Sequence, residues 1–423
     1  MQEALTAGVA GVNITPSVGQ DNMGDYARLR PAEGVGNELY AKALVLDDGA
    51  TRAAFVTADV ISFNDEIVSD VRSRIRRLTG IEGENVILSA SHTHSSPATS
   101  ANDKASGEYV LELTKKMAGA VYMADRNRRE VRVGCGVGEA KVSINRWQRT
   151  ATGVRWGPNP DAPVDPEVQV MRIDDVSGRP MAIVVNFACH PSIMGADNLL
   201  YSGDYSSYVQ SVIERLYDGR ATAMFCPGAG GDVKIAVVTE DGSQFRYTDL
   251  ADCRKYGSVI AAEAIKVAEG IETEPVGHIS CVAQRVALPL FRLPSVQDVE
   301  RELEQLRGQG DALPERDRQR LRWAEETAQA LKGGTAPRSV PVEVQLLRIG
   351  DEIAVFVVPG ELFVEVGMKL KERMGLAGSF VVSFANAYAG YLPSKRAEEW
   401  GWCAHDSSYK WTGKPANFAG AIE

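Results

Sequence analysis

Three stretches of the chain repeat one order of elements, and that order restricts the folds open to it. "LYAKALVLDDGATRAAFVTADVISF" (39–63), "VQVMRIDDVSGRPMAIVVNFACH" (168–190) and "VEVQLLRIGDEIAVFVVPGELF" (342–363) each read as strand, tight polar turn and β-branched strand. That is the pattern of a β-hairpin. Apolar residues at helical spacing follow each one: Ile67, Val71, Ile75 and Leu78; Tyr205, Val209, Val212 and Leu216; Phe363, Val366, Leu370 and Met374. A short apolar strand follows each helix: "NVILSAS" (85–91), "ATAMFC" (221–226) and "SFVVSFAN" (379–386). The expectation is an α/β fold of mixed β-sheets layered with helices, built as one domain over residues 1–423.

Polar groups gather where these strands end. The hairpins end at Asp59, His190 and Glu361. The later strands end at His92 and His94, at "PGAGGD" (227–232) and at "NAYAGY" (386–391). Strand ends are where α/β layer folds bind ligands. Six polar ends in three parallel contexts point to one shared site.

Residues 295–333 break the pattern. "PSVQDVERELEQLRGQG" sets Ser295 three residues before Asp298, an approximate capping box, ahead of an apolar stripe of Val296, Val299, Leu303 and Leu306. Leu321, Ala324, Ala328 and Leu331 mark a second helix. The reading is a charged helical hairpin inserted in the domain and packed on the body by one face, either an entrance wall or an appendage.

The chain has a formal net charge of −10, which argues against a nucleic-acid partner and against an anionic membrane surface. No stretch is long and apolar enough for a membrane span. The start, "MQEALTAGVAGVNITP", has no leader pattern, so the expected location is cytoplasmic and the expected partner a small molecule. The six cysteines form no CxxC pair and read as reduced core thiols. Oligomeric state has no signal.

"LSASHTHSSP" (88–97) carries two of the five histidines one residue apart. If strand geometry continues through them, His92 and His94 face one side. Imidazole is a frequent Zn²⁺ ligand, and the bland alternative is a pair of loop histidines bonded to nearby hydroxyls. His190 ends a strand expected to be buried, so it must hydrogen-bond or bind a metal. Two histidines plus a carboxylate at Glu361, with an open position for water, is a catalytic zinc pattern. "CPGAGGDV" (226–233) lacks a P-loop ending; its glycines, Gly230 and Gly231, would aim backbone N–H groups at a substrate oxyanion, or simply make a tight turn. Asp232 in that loop is a candidate catalytic carboxylate. Asp204 in "SGDYSSY" reads as a helix N-cap. Arg146 in "INRWQR" is either a surface residue or a holder of a substrate carboxylate or oxyanion.

"GVNITP", "LYAKALVLDDG", "LSASHTHSSP", "INR", "NFACHP", "SGDY", "GAGGDV", "PGE" and "NAYAGY", in that order, resemble the neutral/alkaline non-lysosomal ceramidase family across nearly the whole chain. The resemblance implies a zinc-dependent amidase. It implies zinc ligands at His92, His190, Glu361 and Tyr391, with Tyr388 the near rival and otherwise a substrate contact. His94 would move a proton, and Arg146 would be the active-site arginine.

Some positions depart from the family. Lys234 stands where a serine or small polar residue is usual, Pro227 where an asparagine is, and Cys403 in place of a second tyrosine. The sequence carries no immunoglobulin-like C-terminal domain, so the expected substrate is a small soluble acyl compound rather than membrane ceramide. Two alternatives stay open. One is a lactonase or esterase using Arg146 and Lys234 on an anionic, sugar-acid-like substrate; the other is a non-catalytic metal- or ligand-binding relative.

Overall fold

The structure, a computed structural model, describes residues 4–19, 30–99, 104–310, 313 and 315–420. The first residues of the leader reading and part of the turn in the 295–333 hairpin lie outside them.

The repeat folds as three β-β-α-β units. In the first, Tyr40–Asp47 and Arg52–Ala58 pair antiparallel, helix Asp65–Thr79 follows, and Val86–Ala90 returns parallel to Arg52–Ala58. In the second, Glu167–Asp175 and Pro180–Phe187 form the hairpin, Tyr205–Leu216 the helix, and Thr222–Pro227 the parallel return. In the third the parts are Ser339–Ile349, Ile353–Val357, Val364–Met374 and Gly378–Val382. The first two units share a nine-stranded sheet, joined through Thr6–Asn13 and Arg129–Glu139. The third has its own four-stranded sheet, edged by Ile279–Pro289.

Alternation along the strands explains the layers. Leu44, Leu46, Phe55 and Ile87 of the first unit meet Met171, Ile173, Val184 and Met224 of the second. Leu347, Val355, Phe380 and Val382 of the third complete that central core. The intervening residues face outward, under helices. Ala43, Val45, Val56 and Leu88 pack on Val71 and Ile75, and Ile183, Val185 and Phe225 on Val209 and Ile213. Each such Leu, Ile, Val or Phe contributes about 1.5–3 kcal/mol by leaving water.

Because the three units face one core with their parallel strand pairs, short hydrogen bonds stitch them together at one end. His94 N donates to Pro191 O at 3.4 Å, joining the first unit to the second. Gly231 N donates to Leu362 O at 2.8 Å, joining the second to the third. Ala90 N donates to Phe384 O at 3.1 Å and Asn386 N to Leu88 O at 2.6 Å, joining the third to the first.

The 295–333 segment forms helices Val296–Arg307 and Glu315–Lys332, with Ser295 Oγ accepting from Asp298 N as the cap. Its apolar face holds Val299, Leu306, Trp323, Ala324 and Ala328. It docks on the turn at Ser408–Thr412 through Tyr409 and Lys410 rather than on the sheets of the body. All six cysteines are free thiols, four of them buried. Among the described residues no helix is long and apolar enough to cross a membrane.

Candidate metal centre

His92, His94 and His190 come together at the stitched end, with one ligand atom from each within 4.8 Å of the others. His92 and His190 are buried and His94 half-buried. His92 Nδ1 lies 2.7 Å from Ile61 O, and His190 Nδ1 lies 3.0 Å from Gly230 O. A carbonyl can only accept, so both Nδ1 atoms carry a proton, and each ring, when neutral, presents a lone pair at Nε2. Those two Nε2 atoms stand 3.1 Å apart. Burial first, and then the charges of Arg146 and the neighbouring imidazoles, hold His190 well below its ordinary pKa, so it stays neutral. Two facing lone pairs in a dry site repel unless a cation is there to share.

Glu361 stands beside them, Oε1 at 3.8 Å from His92 Nε2 and Oε2 at 3.6 Å from His190 Nε2. Tyr388 donates to Oε1 at 2.5 Å. Oε2 is buried and accepts no hydrogen bond among the described residues, with Arg146 3.6 Å away. Burial pushes the Glu361 carboxyl up, against Arg146 and Tyr388. Arg146 donates to Gly231 O at 2.6 Å and to the Tyr391 hydroxyl at 3.0 Å, and its buried Nε has no hydrogen-bond partner among the described residues. Burial, then the Glu361 charge, raises both tyrosines well above their ordinary pKa. Tyr391 sits opposite Glu361 in a short parallel pairing, which delivers both to one place. The donor set of imidazoles, carboxylate and phenol thus suits a divalent transition metal.

Several expectations need correction in their physical detail. Strand geometry does not run through "SHTH": the strand stops at Ala90, and His92 takes a left-handed φ of 62°. Such a conformation costs a non-glycine residue about 1–2 kcal/mol. Hydrogen bonds from His92 N to Val60 O and from its ring to Ile61 O hold the kink. Phe384 (φ 54°) and Asn386 (φ 53°) share the left-handed region where "SFVVSFAN" was expected to be strand, and the Phe384 ring stacks on His92 at 4.1 Å. Strained backbone gathered at one place is typical of functional sites.

In the glycine loop the Gly231 amide, expected to face a substrate oxyanion, is engaged, and two carbonyls bind side chains of the site. Gly231 N is taken by Leu362 O, while Gly230 O holds His190 and Gly231 O holds Arg146. A Cβ on Gly231 would fall 2.4 Å from Glu361 O, so glycine is required for the two loops to touch. Asp232 is turned to the framework: Oδ1 accepts from Val364 N at 2.7 Å and Oδ2 from Asn145 at 2.9 Å. Asp204 caps its helix as expected and also accepts from Ile193 N. Lys234 is buried, with Nζ donating to Ser192 O below the Tyr247 ring. Phe384 and Asn145 carried no sequence signal for these roles; Asn386 did, since asparagine tolerates the left-handed region.

Burial raises the Asp232 carboxyl from 3.8 to about 6. The fold therefore prefers its neutral form, a contribution that is present below pH 3.8 and lost as pH rises through about 6. The loss is about 3 kcal/mol at most. Asp232→Asn is expected to flatten that part of the pH dependence of thermal stability, measured without metal, while weakening the bond with Asn145. A variant that tracks the wild type across this window contradicts the assignment.

Three comparisons place this geometry among known proteins. The family model described as neutral/alkaline non-lysosomal ceramidase, N-terminal, matches residues 5–265. Neutral ceramidase A of Dictyostelium discoideum is 28% identical over 265 residues, 57% of this chain and 36% of that relative. Neutral ceramidase B of the same organism is 28% identical over 236 residues, 51% of this chain and 32% of the relative. The matched region is thus about a third of the length of these relatives. The crystal structure of neutral ceramidase from Pseudomonas aeruginosa shares the fold, with a TM-score of 0.71 at 20% identity, over 98% of this chain and 72% of that one. The family match spans more than half of the chain, and the chain belongs to the neutral/alkaline non-lysosomal ceramidase family.

Proposed function

We propose that this chain is a zinc-dependent hydrolase that cleaves an N-acyl amide bond in a small soluble substrate. The observation that carries the reading is the pair of Nε2 atoms 3.1 Å apart, each ring's other nitrogen spent on a carbonyl. The buried Glu361 carboxylate beside them supports it further. His92, His190, Glu361 and the Tyr391 hydroxyl would hold the ion. Bound there, Zn²⁺ would bring the pKa of water towards neutrality and polarise an acyl carbonyl.

The chain's own groups have separate work. The Ile61 and Gly230 carbonyls fix both imidazole tautomers. Tyr388 fixes the carboxylate of Glu361. Arg146, with an uncommitted Nε, is available to the negative charge that develops on the acyl oxygen. His94, the most exposed of the three imidazoles, carries the proton to the leaving amine. The amide bond is the one that the relatives' name, ceramidase, points to. The anionic-lactone reading relied on Arg146 and Lys234; the Lys234 ammonium is committed to Ser192, which leaves Arg146 alone to meet an anion.

Two measurements test this. The first is hydrolysis of a panel of N-acyl amines, esters and lactones, with and without a chelator. Chelator-sensitive amide cleavage is expected; cleavage of lactones alone, or no turnover at all, rejects the reading. The second is His94→Ala, expected to keep its zinc and lose about 10²–10⁴-fold in rate. Loss of the zinc instead would make His94 a ligand.

A further inference from the structure

The role of the 295–333 hairpin has a structural answer in one buried lysine. Lys414 is 8% exposed. Its Nζ donates to Ala389 O at 2.6 Å and to Thr412 Oγ1, and it lies 5.3 Å from the centre of the Phe418 ring. Its ammonium thus bonds a carbonyl and a hydroxyl beside a ring, and only the charge of Asp406 acts in its favour. Burial pushes its pKa down to about 7, so keeping an ammonium here is costly. A methionine would fill the same space without that cost.

The carbonyl it holds lies between the two tyrosines of the centre. Tyr388 N donates to Phe63 O and Ala389 N to Pro359 O, so the first and third units grip the loop from one side. Lys414 grips it from the other. A Cβ on Gly390 would come within 3.3 Å of Lys414 Nζ, so the lysine also packs directly against the loop.

The hairpin in turn holds Lys414. Trp323, 3% exposed, donates its indole N–H to Lys414 O at 2.7 Å. Glu302 binds Lys410 at 2.6 Å and Arg320 at 2.8 Å, and Lys410 lies over the Trp323 ring. A continuous set of contacts thus runs from the hairpin through Trp323 and Lys414 to Ala389.

We infer that Lys414 is a positioning residue for the Tyr388–Tyr391 loop and that the 295–333 hairpin is the clamp that seats it. The consequence for metal affinity rests on the reading of Tyr391 and Glu361 as part of the metal centre; the positioning itself does not.

The test uses the full chain with Lys414→Met and, separately, Trp323→Phe, which keeps a ring and removes the donor. Amide hydrogen exchange of peptides covering 386–392 is read by mass spectrometry, and Zn²⁺ affinity by chelator competition. Both variants are expected to exchange at Tyr388 and Ala389 at least about tenfold faster, with the central-core strands unchanged. Zn²⁺ affinity should fall about 10–100-fold. Thermal stability of Lys414→Met should not fall, which separates positioning from general support. Wild-type exchange at 386–392 in Lys414→Met overturns the inference, whatever zinc does. A wild-type chain that takes up no zinc overturns the metal reading alone, and the exchange result then judges the clamp.

Discussion

On the proposed zinc reading, His190→Ala is expected to abolish metal binding and to lower hydrolysis on the order of 10³-fold or more. The imidazole is 1% exposed and supplies one of the two lone pairs that face each other. Its removal leaves one imidazole, a carboxylate and a phenol of the proposed set, a weaker set of donors for zinc. Metal catalysis is worth several kcal/mol, and each 1.36 kcal/mol is tenfold in rate. The variant also removes one of two donors to Gly230 O, which keeps the Val233 N–H, a cost of about 0.5–1.5 kcal/mol in stability. His278→Ala is the control, since that side chain is half exposed and sits by the Ile349–Ile353 turn, at the other end of strand Ile353–Val357 from Glu361. Metal content by atomic emission and initial rates on an N-acyl amine decide the matter. A His190→Ala protein with full zinc and full activity removes this site from consideration.

Gly231→Ala is expected to do the greatest damage per added atom. The new Cβ would stand 2.4 Å from Glu361 O, 2.7 Å from Glu361 C and 2.9 Å from Leu362 O. All three are backbone atoms, so no side chain can swing aside. Either Gly231 or Glu361 must shift, and with it the 2.8 Å bond to Leu362 O or the Arg146 contact with Gly231 O. A loss of about 3 kcal/mol or more in unfolding free energy is expected, together with weakened zinc binding. Gly119→Ala, in helix Lys104–Arg126 with open space around it, should instead be neutral or stabilising by up to about 1 kcal/mol. Urea unfolding of the three proteins makes the comparison. Equal midpoints for Gly231→Ala and wild type would show that the two loops are not in contact.

The sequence announced the three units and their shared end because periods of 2 and 3.6 survive in apolar residues, and because polar side chains interrupt them at fixed places. That was enough to bring His92, His190 and Glu361 together on paper, with Arg146 and both tyrosines from the family resemblance. What stayed hidden is the direction of the backbone. Nothing in "SHTH" says that His92 is left-handed, and nothing in "GAGGD" says whether its amides or its carbonyls face the site. Those directions are decided by partners such as Leu362 and Ile61, far away in the chain. Asp232 illustrates the same point: a carboxylate beside two glycines looks catalytic until Val364 N and Asn145 claim its oxygens. The hairpin's helices were legible from their stripes, but their mooring on Ser408–Thr412 was not, since Trp323 and Lys414 are 91 positions apart.

The stitching of three units at one end bears on how the protein is made. His92 is synthesised 98 residues before His190, and the Glu361 carboxylate comes much later still. A chain emerging from the ribosome therefore carries all three imidazoles long before Glu361 exists. On the proposed reading the full donor set exists only when the last unit has packed into place, so uptake of the ion would report that folding has reached the third seam. Contacts of such long range close slowly, and the time before closure is when a wrong ion, or none, would be taken.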